Sequence, residues 1–259
     1  MASTEPYTLY YNKWSICSQM VQLTFAFRGE PKDAGSQMTI EKKSIDIMNG
    51  EQLEEAYLTE INPKGQVPVL THPSRLPKPI ADSLDITYYI TTQYPGLVPE
   101  SNKDQLIELL KELHRINFFS LSFGSRVGAV NAQKTAVEAK LAQTDISAKY
   151  RKALEYKKTI IRDEKVNGVT PEEIETQKSN TTTFLDKIAK LYNPGSGPWL
   201  WGRISPTVLD VQLAIFLARL HDVGHAILIP KHLLPFYSTM TETNEWKDVY
   251  QGRKTMFGV

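Results

Sequence analysis

Hydrophobic and polar positions change their rhythm part-way along the chain. Up to about Tyr94, short apolar runs alternate with amphipathic ones. The run "YTLYY" predicts a strand, and the stretch from Ser15 to Arg28 predicts a helix. A second strand is expected around "MTIEKKSIDI", a short helix in "EQLEEAYLTEI", a strand in "VPVLTHP" and a helix in "SLDITYYITTQY". The Pro, Gly and Ser of "YPGLVPESN" then read as a linker. Beyond it the pattern is helical almost throughout. Within "DQLIELLKELHRINFFSLSF", Leu106, Leu109, Leu110, Leu113 and Ile116 recur at the spacing of one helix face. "VTPEEIETQ" opens another helix, with Thr170 as cap, Pro171 at the first position and Glu173 where a capping box needs its acid. "SPTVLDVQLAIFLARL" repeats that grammar with Thr207 and Asp210, and it is apolar on nearly every side, which predicts a buried axis. The expected architecture is α/β followed by all-α: one domain over residues 5–95, a linker over 96–102 and a helical domain over 103–259.

Composition narrows the class. The chain has 259 residues, 41% of them hydrophobic and 23% charged, with a net charge of +1, which describes an ordinary globular protein with ample core material. No basic surplus points to nucleic acid, and the locally basic run "KYRKALEYKK" has helical spacing and reads as a solvated face. No apolar stretch is long enough to span a membrane. The N-terminus lacks the basic end and apolar core of a secretory leader. The single cysteine, Cys17, rules out an internal disulfide framework and suits a reducing compartment. A cytoplasmic protein that uses neither membrane nor nucleic acid is expected.

Three short stretches of the first domain could carry chemistry, although local capping or turn formation accounts for each on its own. In "WSICSQMVQLTFAFRGE", a helix starting near Ser15 aims unpaired N–H groups and a partial positive charge at whatever precedes it, and a serine hydroxyl there can donate to a thiolate or oxyanion. In "INPKGQVPVL", Val67-Pro68 leads from a Gly-containing turn into an apolar strand. A cis bond there would turn the N–H and C=O of Val67 outward as a free edge for an extended, peptide-like ligand. In "PIADSLDITYYI", Asp82 and Ser83 open a helix and could receive an ammonium and a carboxylate.

In this order and spacing, the three stretches resemble the glutathione transferase family. Residues up to 94 look like its thioredoxin-like, glutathione-binding domain. The helical remainder, with "WLWGRISPTVLDVQLA" in the place of the family's buried capping-box helix, looks like its second domain. "SICSQMVQLTFAFRG" is similar to the Ser-x-Cys-Ser opening of the Zeta class and its relatives, fungal enzymes among them. The resemblance implies that Ser15 is catalytic and holds the glutathione thiolate. It implies that Val67, held by cis Pro68, pairs its backbone with the cysteinyl unit, and that Asp82 and Ser83 take the γ-glutamyl end. Lys64 and Gln66 would meet the glycine carboxylate or atoms near it. Phe119, Phe123 and Arg126 lie on the stretch that lines the family's electrophile pocket.

The departures are specific. Asp82 stands where the family has Glu or Gln, one methylene longer. Leu209 replaces an alanine before the capping-box acid. Cys17 lies two residues beyond the catalytic position and reads as a buried or supporting thiol; as the nucleophile it would make a thiol transferase. His221 and His225, four residues apart, read as polar residues at a helix end rather than metal ligands, and no metal is expected. The implied activity is attack of the glutathione thiolate on a small, largely apolar electrophile, in detoxification or specialised metabolism, by a homodimer. Glutathione-dependent cis–trans isomerisation of a conjugated double bond and a non-catalytic glutathione-binding or regulatory module are the alternatives.

Overall fold

Tyr7 and Leu9 turn into the core while their neighbours in β1 (Tyr7–Tyr11) lie nearer the surface, the alternation of a half-buried strand. The computed structural model describes residues 5–124 and 126–259. In it β1 is the middle of a three-stranded sheet ordered β2–β1–β3. β2 (Ile40–Ser44) runs parallel to it, with Ile40 opposite Tyr7, and β3 (Val69–Thr71) runs antiparallel, with Leu70 opposite Leu9. A parallel pair needs a crossover. Helix α1 (Ile16–Ala26) supplies it, with Ser15 as its cap rather than its first residue. Ile80 bridges Leu70 beyond β3, and α2 (Ser83–Gln93) follows.

Several expected elements take other forms. "EQLEEAYLTEI" makes a 3-10 turn, Glu51–Leu53, and a wide π turn, Tyr57–Ile61, in which Asn62 N–H reaches back to Tyr57 O. The linker coils into 3-10 turns at Pro95–Leu97 and Glu100–Asn102. The long helix expected from Asp104 to Phe123 is two. Helix α3 (Lys103–Arg115) stops where Ile116 becomes extended, and the Asn117 side chain caps α4 (Phe118–Phe123) by accepting from Phe119 N and Ser120 N at 3.1 and 3.2 Å. An asparagine offers the backbone that alternative wherever it falls in a helical run.

The remaining helices are α5 (Val127–Leu141), α6 (Ala148–Ile160), α7 (Pro171–Ala189), α8 (Val208–Asp222), α9 (Leu234–Thr241) and α10 (Asn244–Tyr250). A π-helical segment, Ile161–Val166, prolongs α6. At the start of α7 only half of the predicted box forms: Thr170 accepts from Glu173 N, but the Glu173 carboxylate takes its proton donor from Gln177 instead. At α8 both halves form. Asp210 accepts from Thr207 N at 2.7 Å, Thr207 Oγ1 at 2.6 Å and Leu200 N at 2.9 Å, and burial pushes its carboxyl up to about 6.

Every residue of α8 from Val208 to Leu220 is buried, as an axis should be. One apolar core runs from Leu9 through Met20 and Leu23 to Leu213, Phe216 and Leu217, so α1 lies between the sheet and the helical part. Gln212 ties that seam with polar contacts. Its amide donates to Thr87 Oγ1 (2.8 Å) and Thr24 Oγ1 (3.3 Å), while its oxygen accepts from His114 Nε2 (2.6 Å). Among the described residues no helix is long and apolar enough to cross a membrane. The run "KYRKALEYKK" is not wholly a solvated face: Lys157 within it is buried, with only 3% of its surface exposed.

Candidate active site

Ser15 sits at the free start of α1 in extended backbone, φ −77° and ψ 120°. Its oxygen accepts from Ser18 N at 3.3 Å, and among the described residues no acceptor takes its hydroxyl proton. The loop before it is held by hydrogen bonds. Asn12 is buried, accepts from Trp14 N (2.9 Å) and donates to Ile45 O (2.8 Å), while Ser15 N donates to Asn12 O (3.1 Å). No acid lies in the first turn of α1, so its positive end is uncompensated from within.

The second piece is the loop into β3. Val67-Pro68 is cis. Gln66 O accepts from Tyr57 Oη (2.8 Å) and Asn62 Nδ2 (2.9 Å), and Lys64 N donates to Asn62 Oδ1 (2.9 Å). Gly65 turns at φ +56°, with Gln52 O and Leu58 only 3.0 Å from where a Cβ would stand, so no other residue fits there without displacement. The backbone N–H and C=O of Val67 have no partner among the described residues. The helical part holds this loop from below: the buried Lys157 ammonium donates to Lys64 O (2.7 Å) and Gly65 O (3.0 Å). Gln66 Nε2 donates to Glu164 Oε2 at 2.6 Å, and the side chain of Lys64 lies exposed.

Asp82 and Ser83 divide their roles. The exposed Asp82 uses Oδ1 to cap α2, accepting from Leu84 N (2.8 Å) and Asp85 N (3.2 Å), and so leaves Oδ2 available. Ser83 is buried and its hydroxyl bonds to Cys17. Burial pushes the half-buried Cys17 thiol up from its ordinary value. The Ser83 bond and the charges of Lys165 and Arg219 pull it down, and Asp82 opposes them. A thiol raised on balance is a weak nucleophile, which suits a supporting role.

The helical wall brings Phe119 and Phe123 face to face, their centroids 4.6 Å apart and planes 22° from parallel. Lys165, in the π-helical segment, holds Nζ 4.2 Å from the Phe119 centroid. Arg126 is committed elsewhere: its guanidinium donates to Phe257 O (3.1 Å) and Gly258 O (2.8 Å), and the Phe257 ring lies 5.6 Å from Trp14, next to Ser15. The C-terminal segment thereby folds back beside the start of α1, where Gln19 and Arg219 both donate to Thr255 O. His225 Nε2 donates to Leu121 O and His221 is exposed, so the two histidines do not converge.

Residues 37–98 match the family model described as glutathione S-transferase, N-terminal domain. A β-etherase, LigF, from Sphingobium sp. strain SYK-6 superimposes with a TM-score of 0.67 at 15% identity, covering 95% of this chain and 99% of that one. The chain has the glutathione transferase fold. A maleyl pyruvate isomerase, a bacterial glutathione S-transferase in Zeta class, superimposes with a TM-score of 0.55 at 16% identity over 93% of this chain and 95% of its own. A glutathione transferase homologue from Sulfitobacter with bound glutathione gives 0.55 at 18% identity, over 97% and 98%. No curated protein sequence matches.

Within this glutathione transferase fold the structure links Ser83 to Cys17, Gln66 to Glu164, and Phe119 to Phe123. The sequence did not single out Lys157, Glu164 or Lys165. All three lie in or just past a basic helical run whose period pointed to solvent. The one available signal was the turn "NPKG", whose carbonyls need a donor once buried.

Proposed function

We propose that the protein is a glutathione S-transferase acting on a small, largely apolar electrophile. The unspent hydroxyl of Ser15 at an acid-free helix start, beside a cis Val67-Pro68 loop with an unpaired edge, carries this reading. Glutathione supplies the sulfur nucleophile. Ser15 donates its free hydroxyl proton to the sulfur anion, Val67 offers N–H and C=O to the cysteinyl backbone, and Asp82 Oδ2 faces the γ-glutamyl ammonium. Lys64, exposed and cationic, serves the glycine carboxylate. Gln66, whose amide is engaged by Glu164, positions the loop more than it binds.

The magnitudes suffice. A free thiol near pKa 8.5 needs a drop of about two units, or ~2.7 kcal/mol, to be mostly ionised at neutral pH. One charge-assisted hydrogen bond contributes roughly 1.5–3 kcal/mol and a helix N-terminus about 0.3–1 kcal/mol. The Phe119–Phe123 pair lends apolar surface to the electrophile where Lys165 leaves it uncovered, and enclosure between the two parts of the chain supplies proximity.

The likeness to a Zeta-class isomerase supports one second reading, in which the same attack on a conjugated double bond is followed by rotation and release. The test is retention on immobilised glutathione, followed by thiol-dependent turnover of chlorodinitrobenzene by the wild type and Ser15→Ala. Conjugation predicts an adduct and a loss of about a hundredfold in the variant. A product of unchanged mass and altered double-bond geometry, from a panel of conjugated cis acids, selects the isomerase. Binding without turnover of any compound rejects both.

A further inference from the structure

The two peptide planes that lead into Ser15 are each gripped at both ends. Asn12 holds the N–H ends: its Oδ1 accepts from Trp14 N (2.9 Å) and its carbonyl from Ser15 N (3.1 Å). The C=O ends are held from elsewhere. Gln19 Nε2 (2.7 Å) and Arg253 Nη1 (3.1 Å) donate to Lys13 O, and Arg219 Nη2 (2.9 Å) donates to Trp14 O. All three donors are tied to the segment that follows α10. Arg253 belongs to it. Gln19 Nε2 also donates to Thr255 O at 2.7 Å, and Arg219 Nη2 does the same at 2.6 Å. Thr255 is itself buried and fixed: its N and Oγ1 both donate to Asp222 Oδ2 at 2.7 Å, and its Oγ1 accepts from Arg219 Nε at 3.2 Å. A reversal at Gln251 and Gly252, both left-handed with φ 48° and 75°, brings the segment back to this place.

We infer that the segment after α10, with Thr255 at its centre, positions the Ser15 hydroxyl for the glutathione sulfur. This rests on the transferase reading of the site and adds to it residues from more than 200 positions along the chain. Helix capping does not require the segment, since Ser18 N already reaches Ser15 Oγ and Asn12 already holds both N–H groups. A rigid peptide plane released at its carbonyl end can tilt about the bond that remains, and the side chain on the next Cα swings with it. Misplacing a reacting group by about 1 Å costs on the order of a hundredfold in rate. Thr255, Arg219 and Gln19 therefore act through Ser15, as positioning residues and not catalytic ones.

The test compares the full-length wild type with Thr255→Val, which keeps the shape and backbone bonds but removes the hydroxyl, and Thr255→Ser, which restores it. Amide hydrogen exchange over residues 12–15 should quicken about tenfold in Thr255→Val, with α8 unchanged, and return to the wild-type rate in Thr255→Ser. Calorimetry should give a glutathione Kd within about twofold of wild type in both variants, because Val67 and Asp82 still hold the peptide. The ultraviolet absorbance of the bound thiolate should titrate about one pH unit higher in Thr255→Val, and kcat for chlorodinitrobenzene below that pH should fall about tenfold with KM for glutathione little changed. Arg253→Met, which removes one donor to Lys13 O at a half-buried site, should move the same readouts in the same direction by less. A thiolate titration unmoved in Thr255→Val, or a loss that Thr255→Ser does not repair, overturns the positioning role. Quickened exchange at residues 12–15 in a protein whose wild type binds no glutathione upholds the hold on Ser15 and rejects the transferase. A wild type that ionises glutathione, with variants identical to it in exchange and titration, does the reverse.

Discussion

Replacing Lys157 by methionine removes an ammonium that bridges the helical part to the loop ahead of Val67. Burial, helped by the charge of Lys165 and opposed by Glu164, lowers the Lys157 pKa from 10.5 to about 7. The unfolded chain keeps this proton up to about its ordinary value, so between about 7 and 10.5 the folded state binds fewer protons than the unfolded one. Stability from this group therefore rises with pH across that window and is lost as pH falls through 7. From about pH 6 to about pH 9 the rise accumulates over roughly two units, ~2.7 kcal/mol at ~1.36 kcal/mol per unit. Lys157→Met lacks the titrating group, while every other one is shared. The stability of wild type minus variant should therefore grow by about 3 kcal/mol over that interval. Urea unfolding followed by tryptophan fluorescence at three pH values measures it. A difference that stays flat within ~0.5 kcal/mol would show that the ammonium is not desolvated and would refute the reasoning. Two carbonyls lose their donor in the variant, so KM for glutathione should rise as the Val67 loop loosens.

Asp210→Ala leaves Leu200 N, Thr207 N and Thr207 Oγ1 without their acceptor, a loss of at least about 3 kcal/mol readable by calorimetry. Because burial raises this carboxyl to about 6, its contribution is full below the ordinary 3.8 and is lost as pH rises through 6, so the gap to the variant narrows over that range. A double-mutant cycle on Gln66→Ala and Glu164→Ala should give a coupling of roughly 1–2 kcal/mol in kcat/KM, whereas additive effects would mean that their 2.6 Å bond does not hold the loop. Asn117→Ala should lower stability by about 1 kcal/mol in chemical denaturation through loss of the α4 cap.

What could be read along the chain were features that answer to neighbours a few residues away. Ser15, Asp82, Thr170 and Thr207 cap helices because each helix start must find acceptors for its free N–H groups, whatever the fold around it. The apolar run from Val208 to Leu220 had to become an axis, since no face of it could be given to water. The same local signals missed the break at Asn117, where side-chain capping competes with an intact helical period.

Tertiary structure decided the rest. Gln66 and Glu164 stand 98 residues apart in sequence, and Lys157 and Lys64 stand 93 apart. Nothing near a lysine in a basic helix states whether another segment will cover it. Desolvation is a property of what packs over a group, and the environments of Lys157, Lys165 and Cys17 came into being only when the helical part closed over the sheet.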